Sequence, residues 1–158
     1  MKKKLFVLFF AAVTAVLTIS GCISDTPPEV KENEIMLKIK LDLKEDIGLL
    51  IIDHNVSGHE GGGGMSNADK SLIRHDETLY FSFDKEHYEI SGNTADLKVR
   101  FRVVTEYCDP NYDNIYPEEL VVPMDEIAFR ADFGKMYSFT ITGGRDSGYK
   151  AVLEQPQS

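Results

Sequence analysis

Tryptophan is missing from the 158 residues, and cysteine occurs only at Cys22 and Cys108. The first absence removes the buried Trp that marks true immunoglobulin domains, and the second leaves no room for a disulfide framework. Basic residues are also scarce: 17 Lys and Arg stand against 26 Asp and Glu, for a net charge of −9 and a pI near 4.9. Beyond Lys4 they form no cluster of the kind that neutralises phosphates, so nucleic acid is excluded as a partner. No apolar run reaches the roughly 20 residues of a comfortable membrane span, and no repeat of about 20 to 50 residues suggests a solenoid or propeller. Glycine and proline punctuate the chain in place of long amphipathic helices. What remains is one globular domain's worth of ordinary composition, 42% hydrophobic and 27% charged.

The amino terminus carries its own pattern. Met1-Lys2-Lys3-Lys4 is a short cationic stretch, Leu5 to Ile19 is uncharged and mostly apolar, and Ser20 and Gly21 are small. This is the layout of an export signal. Ile19-Ser20-Gly21-Cys22 resembles the lipobox of bacterial lipoprotein precursors. That resemblance implies a diacylglyceryl group on the Cys22 thiol, cleavage just before Cys22, and acylation of the new terminus. Each buried methylene contributes about 0.8 kcal/mol, and stable anchoring takes more than one acyl chain. The expected location is therefore the extracytoplasmic face of a cell membrane, at a cell surface or in a periplasm. The signal lysines are the only basic residues among the first 21, so removing that segment leaves 14 basic against 26 acidic residues, a net −12. With Cys22 lipidated, Cys108 is the one remaining thiol, open to burial, ligation or an intermolecular bond.

Residues 1–21 are thus read as signal, 22–34 as lipidated cysteine and tether, and 35–158 as a single domain. Pro27, Pro28 and alternating charges give the tether little to bury. From Ile35 the hydrophobic period is two. Leu37, Ile39, Leu41 and Leu43 alternate with polar neighbours, as do Leu79, Phe81 and Phe83, and Leu97, Val99, Phe101 and Val103. Leu49 to Ile52 is apolar on both faces and suits a central strand. Leu120 to Val122 stops at Pro123, which has no ladder donor, so that strand lies at an edge or ends there. Ile127 to Phe133 and Tyr137 to Thr142 flank Gly134-Lys135 as a hairpin would, and Tyr149 to Leu153 follows a glycine-rich turn. About eight strands predict an all-β antiparallel β-sandwich, immunoglobulin-like or fibronectin-like.

In this scheme His54 to Glu77 is one long loop. It holds Glu60 and the tract Gly61, Gly62, Gly63 and Gly64, whose conformational freedom suits a ligand-binding rim. His54, His59 and His75 lie in or beside it and form a candidate site for zinc or copper. Asp109, Asn111 and Asp113 place oxygen side chains at the spacing that opens a calcium loop, although Asn114 and Leu120 stand where such a loop has Gly and Glu. Lys98, Arg100 and Arg102 share one strand face and are expected to pair with acids on a neighbouring strand. No Gly-x-Ser-x-Gly elbow or Cys-His pattern is present. The expectation is a lipid-anchored binding domain without enzymatic turnover. Its partners would be the membrane and an extracellular or envelope protein or glycan, with no cofactor or, in the alternative, a calcium or zinc ion.

Overall fold

The computed structural model describes residues 27–106 and 117–154. Nine strands follow in chain order: β1 (Glu34–Leu43), β2 (Leu49–Val56), β3 (His59–Met65), β4 (Thr78–Asp84), β5 (Thr94–Val104), β6 (Val121–Pro123), β7 (Ile127–Asp132), β8 (Lys135–Gly144) and β9 (Gly148–Leu153). The expected all-β sandwich is what forms. One sheet has the order β4-β1-β8-β9, and the other runs β3-β2-β5-β6 with β7 also pairing β5. All ladders are antiparallel except that between β1 and β8, which is parallel from Ile35 opposite Lys135 to Leu43 opposite Gly143.

Alternation decides which side of each strand is buried. Ile35, Leu37, Ile39 and Leu41 of β1 meet Leu50, Ile52 and Val56 of β2 and Leu97, Val99, Phe101 and Val103 of β5 in one core, completed by Phe83, Phe139 and Ile141. Phe101 and Phe139, from opposite sheets, pack edge to face at 5.3 Å between ring centres. The continuous apolar run of β2 also works as expected: Leu49 and Ile51 turn outward into a second small cluster with Val104, covered by Leu120 and Val121. Pro123 sits on a strand that, among the described residues, pairs with β5 alone.

Two expectations about connectivity are corrected. Ile127 to Phe133 and Tyr137 to Thr142 do not form a hairpin. β7 joins β5 while β8 joins β1, so the chain crosses between sheets at Gly134, whose N–H bonds the Glu34 carbonyl at 2.7 Å. Nor is His54 to Glu77 one long loop. Glu60, Gly61, Gly62, Gly63 and Gly64 lie in β3, which pairs with β2 from Val56 opposite His59 to Leu50 opposite Met65. Ser57 and Gly58, with φ of 51° and 99°, make the two-residue turn that matches strand twist, and the Asn55 side chain accepts from the Gly58 N–H at 2.8 Å. Glycine is a poor strand former by propensity, and here ladder bonds to a buried neighbour outweigh that preference. A true connection remains from 66 to 77, pinned by the Ile47–Ile73 bridge.

Candidate cleft at the open edge

β3 ends one sheet and β4 ends the other, and the two edges face each other across the side of the sandwich. Inward positions on β2 include Leu50, Ile52, His54 and Val56, so the strand that fills the core with aliphatics also delivers an imidazole to it. His54 is 9% exposed. Its ring meets Phe83 edge-on at 5.0 Å, with Phe81 and Tyr88 each at 6.0 Å. The Tyr88 hydroxyl lies 2.9 Å from His54 Nε2 and can donate to it or accept from it according to tautomer.

The other ring nitrogen, Nδ1, is buried and meets no hydrogen-bond partner among the described residues. Burial, the largest cause, pushes the His54 pKa below its ordinary value. The Ile52 carbonyl and the Asp53 charge oppose that shift, the carbonyl acting from close by without meeting hydrogen-bond geometry at Nδ1. Tyr88 is pushed the other way, upward, also by burial. In both groups burial thereby favours the neutral form.

The glycines of β3 are explained in part by these rings. A Cβ on Gly61 would stand 2.5 Å from His54 Nε2, and one on Gly63 would stand 2.7 Å from Phe81 Cε2. The absent side chains leave a cleft of about 380 Å³ between the edges, lined by His54, Glu60, Gly61, Phe81, Asp84, His87 and Tyr88 among others. Its floor is aromatic and its rim polar, the usual combination in small binding sites. A smaller hollow of about 180 Å³ on the outer face shares His54, Glu60 and Gly61 and adds Asp53, Lys98, Arg100 and Glu126. Of the cationic row, Arg102 pairs as expected with Asp53 on the neighbouring β2 at 2.7 Å, and Arg100 lies 3.9 Å from Glu126, which precedes β7.

The three histidines grouped by sequence do not assemble. His54 is in the interior, and His59 lies on β3 with Nδ1 3.2 Å from the Val56 carbonyl oxygen and its ring 6.3 Å from Tyr88. His75 sits near the opposite end of β2, where it contacts Asp46 at 2.8 Å and holds Asp46 below the ordinary carboxylate range. Among the described residues, no group of three or more His, Cys, Asp or Glu is arranged to hold a metal ion. Asp109, Asn111 and Asp113, with Cys22 and Cys108, lie outside the described residues.

His87 takes the place that sequence proximity assigned to His75. Its ring stacks edge-on against Tyr88 at 4.9 Å, in the turn after β4. Both residues were missed because β4 belongs to the other sheet, and nothing local ties positions 87 and 88 to position 54. Their single sequence signal is an aromatic in a polar turn directly after an alternating strand.

The fold and cleft define a β-sandwich domain with one side open. No protein-family model and no curated protein matches the chain. Among solved structures it is similar to listeriolysin O, with a TM-score of 0.39 and 10% identity over 78% of this chain and 23% of that one. It is similar to pneumolysin at 0.36 and 11%, over 80% and 24%. The chain thus spans about a quarter of each of these two proteins. For the membrane-binding domain of pneumolysin the values are 0.31 and 10%, over 80% of this chain and 98% of that one. These are distant likenesses of outline. Among the described residues, no helix is long and apolar enough to cross a membrane.

Proposed function

We propose that this chain is a lipid-anchored extracytoplasmic protein whose sandwich binds an envelope or extracellular partner through the cleft between β3 and β4. The observation that carries the binding role is the cleft itself, where an aromatic floor and a polar rim meet a strand stripped of side chains. The anchor rests on Ile19-Ser20-Gly21-Cys22 behind an apolar run and three lysines. An acidic domain suits this arrangement, since its charge keeps it off anionic headgroups while the lipid holds it near them. Binding without turnover is the role assigned, with the rim residues Glu60, Asp84 and His87 as contact groups.

The anchor is tested by feeding a labelled fatty acid to cells making the full chain or its Cys22→Ala variant. Label is expected on the wild-type chain and none on the variant. Equal labelling of both, or labelling of neither, contradicts the anchor.

A further inference from the structure

We infer that the outer edge of β3 is a strand-addition site for an extended, lysine- or arginine-bearing segment of a partner polypeptide, an inference that rests on the binding role proposed for the cleft. The two-residue turn makes Val56 and His59 a hydrogen-bonded pair, and such pairs alternate along an antiparallel ladder. His59, Gly61, Gly63 and Met65 therefore bond to β2. The N–H and C=O groups of Glu60, Gly62 and Gly64 point away from it. β3 is last in its sheet, and among the described residues no backbone bond of the turns and loops reaches positions 59–65. An unpaired row of this kind is a ready template for another strand.

Edges are normally blunted, and this one is bare. β6 carries Pro123 and β9 carries Lys150, whereas β3 presents four consecutive residues without side chains. Packing requires glycine at 61 and 63, but not at 62. A Cβ there would find its nearest atoms, Asp53 Oδ1 and the Ile52 carbonyl oxygen, at 3.6 Å, an ordinary contact. Glycine inside a strand costs stability, and where packing does not demand it, close approach of another backbone does.

Charge and shape name the occupant. Glu60 stands on the free edge, opposite Asn55 and on the face turned from the core, and the chain is strongly acidic. Cationic side chains on the incoming segment complement that field. A second copy of this chain would bring more negative charge to the same edge. Alternate side chains of an added strand point to opposite faces, so an apolar residue between the cations enters the cleft against Phe81 and Tyr88.

The test uses the full chain in detergent and two synthetic peptides of about ten residues, one alternating Lys with Val and one alternating Glu with Val. The Lys–Val peptide is expected to slow amide exchange at Glu60, Gly62 and Gly64 by about tenfold or more, and the Glu–Val peptide is expected to leave those amides alone. Gly62→Pro deletes an outward donor while sparing the ladder, and should weaken Lys–Val binding about tenfold or more. Should that variant fail to fold, the wild-type exchange pattern decides. Equal binding of both peptides, or protection elsewhere, overturns the inference. So does protection of those three amides that grows with protein concentration alone, because the occupant would then be a second copy. A peptide that perturbs His87 and Tyr88 without protecting the three amides removes strand addition and leaves the cleft role standing. No response at either place removes both.

Discussion

β1 and β3 are both strands, yet they hold their places by opposite means. β1 is locked between β4 and β8 by its own side chains, with Ile35, Leu37, Ile39 and Leu41 at most 1% exposed. Among the described residues β3 has one strand neighbour, and the space over its inner face is filled by side chains from elsewhere, His54 over Gly61 and Phe81 over Gly63. A strand can thus be specified by what its neighbours leave room for. The cost of that solution is an unguarded edge, and the gain is a cleft beside it.

A melting series along the two strands sharpens this contrast. Leu41→Ala empties a fully buried site and should cost about 2–5 kcal/mol. Gly61→Ala forces the His54 ring off its contact with Tyr88 and should cost about 1–3 kcal/mol. Gly62→Ala meets only ordinary contacts and should gain about 0.5–1 kcal/mol. Equal effects at 61 and 62 would show that neighbouring rings do not dictate the glycines of β3.

Acidity breaks the contrast from the other side. His54 is harder to protonate folded than unfolded, so the unfolded chain binds more protons below the ordinary value of 6.5. Stability from this group is complete above that pH and declines as pH falls toward the lowered folded pKa. Melting curves taken between about pH 7 and pH 5 should show the decline. His54→Leu should remove that component of the pH dependence, and an unchanged slope would place its source elsewhere.

Much of the sandwich was legible in the sequence because alternation is a local signal. Leu37 to Leu43 and Leu97 to Val103 announce both their strands and their buried faces. β3 was not legible, since four glycines carry no hydropathy pattern. Its one clue was Ser57-Gly58, a turn dipeptide of hairpin length that ends at a strand with no apparent partner. The β7–β8 turn misled for a related reason: two strands joined by Gly-Lys read as partners until their registers with β5 and β1 are known. At the site, Glu60 and His54 were found by chemistry and proximity. His87 and Tyr88 were not, because only the facing of two sheet edges brings them to His54.

The most direct test of the cleft as the recognition surface is photo-crosslinking in cells that make the full chain, with a photoreactive residue at Ser82 on the cleft rim or at Lys150 on the far edge. Adducts are predicted from position 82, reduced by Gly62→Pro, and none from position 150. Adducts from 150 alone, or equally from both positions, would contradict the account.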